Sequence, residues 1–223
     1  VYFITELLQC SLNLSIPNPL PRYTQNPQTV SIFGQQACDT LMFLKEEAKK
    51  PTKAPTTANN ASADVVVGQT SMTLANLSTT AYSLYLPTSA YTNGTKLYVS
   101  DYNNNRVLIY NSIPTANNAS ASVVLGPDPM TADGSGTTAY GLYNPYSTYT
   151  DGTKLYVADI NNNRVLIYNS IPTSNFASAD VVIGQTTMTL ATIGTTAYGL
   201  YSPRYTYTNG TKLYVADGSN NRV

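Results

Sequence analysis

The sequence NGTKLYVSDYNNNRVLIYN, residues 93–111, decides the fold because it occurs in three closely related copies, of which the third is shorter. Residues 151–169 read DGTKLYVADINNNRVLIYN, and residues 209–223 read NGTKLYVADGSNNRV, so each copy begins 58 residues after the one before. Two other markers keep the same step: the nonamers ASADVVVGQ, ASASVVLGP and ASADVVIGQ, and three copies of TTAY. Three independent markers on one period establish an internal repeat, which has to be recognised before any other feature is interpreted.

Each 58-residue unit predicts four short strands and no helix, because no helical periodicity is present. In copy one the strands are expected, in chain order, in DVVVG (64–68), SAYT (89–92), TKLYVSD (95–101) and RVLIYN (106–111). Asn-Gly and Asp-Gly between strands are strong hairpin signals because both residues tolerate positive φ. Three consecutive four-stranded units predict an all-β protein built of β-propeller blades.

The stretch KLYVADINNNRVLIYNSIPT, residues 154–173, resembles the NHL-repeat family of β-propellers in its bacterial long-blade form. The matching features are the LYVAD strand, the NNNRV turn and the VLIYNSIP strand with its exit, and they recur over residues 59–223. The resemblance implies a six-bladed propeller, of which the three units make about half. It leaves the function open, since NHL propellers bind peptides, RNA or sugars and occasionally carry an enzyme site.

The first 55 residues lack the repeat. Residues 1–55 are expected to form an irregular, largely extended N-terminal segment with a short helix from Cys38 and a Pro-containing linker at its end. Residues 56–223 are expected to form the blades, with the third unit incomplete at Val223. No apolar run in the chain reaches the length of a membrane span.

The composition argues against catalysis and against nucleic acid. The formal net charge is zero, so no basic surface for nucleic acid is indicated. The chain has no His, no G-x-S-x-G sequence, no clustered carboxylate pair and no glycine-rich phosphate loop. The sequence therefore predicts a protein that is not an enzyme, with no catalytic residues and no cofactor.

The Asn-rich turns copy the first half of a calcium loop, as in Asp101-x-Asn103-x-Asn105. Such a loop needs a Gly next and a bidentate acid later, whereas here an Arg follows directly. We therefore predict no metal, but turns in which Asn adopts unusual φ and Asp pairs with Arg between neighbouring strands or blades. The expected pairs are Asp101 with Arg106, Asp159 with Arg164 and Asp217 with Arg222.

The N-x-S/T sequons and the pair of cysteines favour a protein that is located outside the cytosol. N-x-S/T sequons make glycosylation conceivable on a surface protein, and they lie at Asn13, Asn60, Asn76, Asn93, Asn118 and Asn209. Copy two has Asp151 in place of Asn93, so turn geometry alone accounts for Asn93 and Asn209. Cys10 and Cys38 are predicted to form a disulfide, the alternative being two unrelated buried thiols. The expected location is extracellular or at the cell surface.

Repeated tyrosines and non-repeated residues are interpreted differently. The repeated tyrosines are Tyr82, Tyr85, Tyr140, Tyr143, Tyr198 and Tyr201. Their repetition favours packing between blades over a stacking platform for sugars or bases. Departures from the repeat are better candidates for a specific function. Arg204 stands where the other copies have Thr88 and Tyr146, and Asp128 and Asp133 occur only in copy two.

These observations favour a non-catalytic extracytoplasmic scaffold, a structural subunit of a surface or filamentous assembly. The alternatives are a glycan- or peptide-binding propeller module, and a fragment of a propeller enzyme whose catalytic residues lie outside this chain. Three units leave blade faces and one edge open, so other copies of the chain are the expected partners. Residues 1–9, VYFITELLQ, are expected to add as a strand to an open edge of the next subunit.

Overall fold

Short antiparallel strands that pair in chain order make up the protein over the residues that the structure describes. These residues, in a computed structural model, are 62–126 and 135–223. They form ten strands and three 3-10 turns, each turn three residues long. Over these two ranges no helix is long enough to cross a membrane.

Two sheets have the same four-stranded order. Sheet 1 consists of β1 (Pro87–Thr92), β2 (Leu97–Asp101), β3 (Arg106–Tyr110) and β4 (Val123–Leu125). Sheet 2 consists of β5 (Pro145–Thr150), β6 (Leu155–Asp159), β7 (Arg164–Tyr168) and β8 (Val181–Ile183). Each strand pairs antiparallel with the next, which is the strand order of a propeller blade.

The turn residues explain the hairpins that the sequence predicted. Gly94 has φ +91°, which a residue without a Cβ adopts without strain. Between β2 and β3 a 3-10 turn, Tyr102–Asn104, is followed by Asn105 with φ 54°. Val99 then pairs with Leu108 across β2 and β3, so the prediction that these two segments are neighbouring strands is confirmed.

The boundaries of the sheets differ from those expected for the repeat. The segment that was expected to open each unit closes the preceding sheet instead, because β4 pairs with β3 and β8 pairs with β7. Residues 64–68 of copy one form no strand. In copies two and three the equivalent segments pair with the strand that precedes them, β3 or β7.

Sheet 3 has two strands, in line with the expectation that the third unit is incomplete. It consists of β9 (Pro203–Thr208) and β10 (Leu213–Asp217), followed by the 3-10 turn Gly218–Asn220. Beyond that turn a single isolated bridge joins Asp217 to Arg222.

Successive side chains of each strand point to opposite faces of the sheet and are buried against the neighbouring sheets. Between sheets 1 and 2 lies a cluster that includes Tyr98, Val107, Ile109, Leu155 and Val157. A second cluster, between sheets 2 and 3, joins Tyr156, Val165, Ile167 and Leu200 to the half-buried Leu213 and Val215. The period of two along a strand puts one set of residues on each face, so each sheet has an apolar face for either neighbour. Residues Ala63–Val223 form one compact unit.

Several sequence predictions fall outside the described residues. They are the extended segment, short helix and linker of residues 1–55, the pair Cys10 and Cys38, the sequons at Asn13 and Asn60, and the two acids Asp128 and Asp133.

The glycine that ends β4 is expected to tolerate no side chain. Gly126 has φ +122°, and a Cβ there would lie 2.5 Å from the carbonyl oxygen of Asn105. Gly152, in a hairpin turn, has φ +96° but nothing within 4 Å of its added Cβ. Gly152→Ala should therefore lower the free energy of unfolding only by its backbone strain, about 1 kcal/mol, and Gly126→Ala by about 3 kcal/mol or more.

Urea unfolding of the two variants measures the difference. Equal losses of stability would show that the close approach of β4 to the Asn-rich turn is not important.

Candidate functional site

The carboxylate of Asp101 is the centre of a buried polar junction at the end of β2. Its Oδ2 accepts hydrogen bonds from Arg106 Nε and Asn104 Nδ2, both at 2.8 Å, and its Oδ1 accepts one from the backbone N–H of Tyr85 at 2.6 Å. Asp101 and Arg106 are both fully buried. The charges are thus paired and hydrogen-bonded, as burial of ions requires.

The guanidinium of Arg106 connects this junction to the loop that precedes β1. Its Nη1 donates to the carbonyl of Thr79 at 2.7 Å. Its Nη2 donates to the carbonyls of Thr80 and Ser83, at 2.8 and 3.0 Å. A planar, permanently charged group with a rigid fork of donors can bind several carbonyls at once, so it fixes the course of the TTAY loop.

The junction recurs in each copy. Asp159 Oδ2 accepts from Arg164 Nε and Asn162 Nδ2, both at 2.8 Å, and this pair is also fully buried. Asp217 and Arg222 pair at 2.7 Å, but the side chain of Arg222 is 35% exposed. The third junction therefore has the same bonds in a partly solvated setting.

The pKa values of the buried carboxyls reflect opposing causes. Burial raises the pKa of Asp101 and of Asp159, because it disfavours the charged form. The guanidinium, the Asn amide and the backbone N–H oppose that rise in each case. Removal of one donor from such a site leaves a buried charge poorly compensated.

The outer Asn of each turn joins neighbouring sheets. Asn105 Oδ1 accepts a hydrogen bond from the backbone N–H of Asn144 at 2.8 Å, and Asn163 Oδ1 accepts one from Ser202 N at 2.9 Å. Asn105 therefore directs its oxygen toward the next sheet rather than toward Asp101. In the described ranges no group of three or more His, Cys, Asp or Glu side chains stands close enough together to hold a metal ion.

Four sequons lie on the described surface. The side-chain oxygens of Asn93 and Asn209 accept hydrogen bonds from the N–H groups two and three residues further on, at Thr95, Lys96, Thr211 and Lys212. Asp151 makes the same bonds in copy two, so this contact belongs to the turn. Asn76 is exposed and Asn118 is partly buried.

Of the tyrosines that were not singled out from the sequence, Tyr91 and Tyr149 pack between the sheets, whereas their equivalent Tyr207 is 56% exposed. Tyr91, Tyr149 and Tyr207, from the first strand of each sheet, form one row with ring centroids 5.0 and 5.6 Å apart. The tilted contacts suit the charge distribution of aromatic rings. By contrast Tyr82, Tyr140, Tyr143 and Tyr198 are each more than 40% exposed, so the expectation that they pack between blades is wrong. They lie in the loops before the first strands, whereas the alternation within β1, β2 and their equivalents indicates the residues that do pack.

Arg204, the non-repeated cation, lies beside two tyrosines. Its guanidinium carbon is 5.9 Å from the ring centroid of Tyr146, which meets the ring of Tyr205 edge-on at 5.5 Å. Thr88, at the equivalent position of copy one, donates to the carbonyl oxygen of Tyr146 at 2.7 Å. The three residues that occupy this position of the repeat, Thr88, Tyr146 and Arg204, are therefore neighbours in space.

Comparisons with known proteins leave the family open. No model of a known protein family matches the chain, and no curated protein matches it at a significant level.

Loss of the buried carboxylate in sheet 2 should be severely destabilising. Asp159→Asn leaves the fully buried Arg164 without its anion, and we expect a loss of about 3–5 kcal/mol of unfolding free energy. Asp217→Asn is the matched control, because the partly exposed Arg222 keeps contact with water. Its expected loss is about 1–2 kcal/mol.

Chemical denaturation followed by circular dichroism measures both losses. Equal effects at the two positions would contradict the assignment of the energy to burial of the pair.

Stability should fall at alkaline pH because two tyrosines are buried at the ends of β3 and β7. Burial raises the pKa of Tyr110 to about 12 and raises that of Tyr168 as well. Below pH 10 both phenols are neutral in the folded and unfolded chain. Above pH 10 the unfolded chain ionises first, so unfolding becomes easier until the folded phenols ionise too.

We expect the stability of Tyr110→Phe/Tyr168→Phe to depend less on pH between 10 and 12, while Tyr156, whose pKa is also raised to about 12, keeps its contribution. Urea titrations across this range, with tyrosinate absorbance as a second signal, test this. An equal pH dependence in the two proteins would contradict it.

Proposed function

We propose that the chain is a non-catalytic β-propeller scaffold, a structural subunit of an extracellular or cell-surface assembly built from copies of itself. The observation that carries this proposal is the uncovered face of sheet 3. The equivalent face of sheet 1 packs against sheet 2, and the equivalent face of sheet 2 packs against sheet 3.

The packing of the sheets supports consecutive blades. Thr88 and Tyr91 of β1 donate to backbone carbonyls of β5, and Tyr149 of β5 donates to the carbonyl of Thr208 in β9. The first strands of the three sheets therefore lie side by side, and the tyrosine contact from Tyr91 to β5 is repeated from Tyr149 to β9. Repetition of one such step around an axis is how a propeller is built, in agreement with the resemblance to NHL repeats.

The exposure of the equivalent tyrosine in the second strand of each sheet shows how far the face toward the next sheet is covered. Tyr98 in sheet 1 is 0% exposed and Tyr156 in sheet 2 is 6% exposed, whereas Tyr214 in sheet 3 is 41% exposed. Tyr207, the last member of the tyrosine row, is also exposed. Exposed apolar and aromatic faces of this kind promote association.

The outer edge of β10 offers a second contact. A cleft of about 370 Å³ lies beside it, lined by Ile183, Leu200, Leu213 and Val215 among others. In sheets 1 and 2 the third and fourth strands occupy the equivalent place. Strand-forming segments of a second copy fit there, because β10 has backbone groups to pair with and the cleft has apolar side chains to cover. Contacts of this head-to-tail kind produce rings or filaments.

The proposal that the protein is non-catalytic rests on the chemistry of its acids. The chain has no His, and the buried carboxylates of Asp101 and Asp159 already accept hydrogen bonds from Arg, Asn and backbone groups. Their role is to hold loops, since a fully buried carboxylate that already accepts three hydrogen bonds is not accessible to a substrate.

Sedimentation analysis of the 223-residue chain tests the scaffold. We expect assemblies larger than a monomer, and we expect Tyr214→Glu to dissociate them because it places a charge on the face of sheet 3 that a second copy covers in the assembly. Tyr140→Glu is the control, since Tyr140 is equally exposed but lies in a loop of sheet 2. A wild-type chain that stays monomeric at every concentration overturns the proposal, as does equal dissociation by both variants.

A further inference from the structure

Copy three departs from copy two at one place in space. Residues 194–223 differ from residues 136–165 at six positions. One of them, Asn209 for Asp151, lies in a hairpin turn. The other five are Ser202 for Asn144, Arg204 for Tyr146, Tyr205 for Ser147, Gly218 for Ile160, and Ser219 for Asn161.

The two segments that carry these five changes touch each other. Gly218 N donates to the carbonyl of Ser202 at 3.2 Å, and Ser219 N donates to that of Tyr201 at 3.0 Å. Substitutions scattered at random through a repeat do not converge in this way. Residues outside the repeat pattern serve something other than the repeated architecture.

Three of the changes remove bulk. In copy two Asn161 donates to Asn144 at 2.6 Å across this surface, and two serines replace them in copy three. Ile160 is buried, whereas its equivalent Gly218 has no side chain. A Cβ on Gly218 would lie 2.9 Å from Arg204 Nε, so the side chain of Arg204 uses the space that the glycine leaves.

The other two changes add a cation and a ring. Arg204 is exposed, and its guanidinium carbon lies 5.9 Å from the ring centroid of Tyr146, a cation–π distance at which, among the described residues, no N–H group of the guanidinium is used in a hydrogen bond to the ring's substituents or to a carboxylate. Over residues 62–126 and 135–223 the salt bridges involve the other three arginines of the repeat, and no carboxylate pairs with Arg204. Tyr205 is 52% exposed beside it.

We propose that Arg204, Tyr205 and the surface formed by Ser202, Gly218 and Ser219 bind a carboxylate-bearing sugar of an acidic glycan. A guanidinium edge donates two parallel hydrogen bonds to a carboxylate. The exposed ring of Tyr205 presents a flat apolar face to the sugar ring, with hydroxyl groups at hand for its polar edge. A phosphate has no ring to cover Tyr205, and a neutral sugar has no charge for Arg204. This binding role goes beyond the scaffold, and copies that associate through the exposed face of sheet 3 must leave Arg204 and Tyr205 accessible.

The repeat itself supplies the variants for a test. Arg204→Thr restores the residue of copy one, and Tyr205→Ser restores that of copies one and two. Each replacement already occupies the equivalent place in the same fold, and melting curves check that the variants remain folded. Lys212→Thr removes another surface cation, in the hairpin between β9 and β10, and is the matched control.

Isothermal titration with oligogalacturonate and with sialyl-oligosaccharides is the measurement, and neutral oligogalactose is the comparison ligand. We expect the wild-type protein and Lys212→Thr to bind at least one acidic sugar. Arg204→Thr and Tyr205→Ser should each weaken that binding by about tenfold or more, the effect of one lost charged or stacking contact.

Four outcomes overturn the proposal. They are no binding of either acidic sugar, equal binding of the neutral one, unchanged affinity in Arg204→Thr, and equally strong competition by an acidic peptide or inorganic phosphate. A monomeric chain that binds the acidic sugar contradicts the scaffold alone, so the two proposals fail separately.

Discussion

A buried pair of opposite charges, Asp101 with Arg106 and its copies, is the interaction on which the rest of the structure depends. The carboxylate ends the second strand of a sheet and the guanidinium begins the third, so the pair closes the turn between them. The same guanidinium binds carbonyls of the loop that leads to the first strand. Because a buried ion requires a full set of partners, the turn, the loop and both strands must all be in place together.

Neighbouring sheets are positioned from this junction. The left-handed Asn after each 3-10 turn, Asn105 or Asn163, binds a backbone N–H just before the first strand of the next sheet. The tyrosine row then fills the space between the first strands, and the aliphatic residues of the second and third strands fill the remainder. A short polar contact thus sets the position of a large apolar interface, which supplies most of the stabilisation.

The parts of this structure that local chemistry controls were predictable from the sequence. Asn-Gly turns, the pairing of Val99 with Leu108 and the alternation of buried residues follow from propensity and period. Which sheet the first strand of each repeat joins was not predictable, because a strand-forming apolar run such as Val123–Leu125 suits either the sheet before it or the sheet after it. Only part of the candidate site was predictable. Arg204 departs from the repeat in the sequence, but its proximity to Gly218 depends on a contact between segments 14 residues apart.

The offset between the sequence repeat and the sheets has a consequence for how such a chain lengthens. The fourth strand of sheets 1 and 2 lies in the sequence at the start of the next 58-residue copy, after the loop that follows the third strand. Insertion or deletion of a whole 58-residue period therefore preserves every sheet, wherever in the period the break falls. In contrast, a segment excised at the borders of the sequence repeat begins with the fourth strand of the preceding sheet. It lacks the fourth strand of the sheet that it otherwise encodes. The inherited unit and the folding unit of this protein are thus the same length but out of phase.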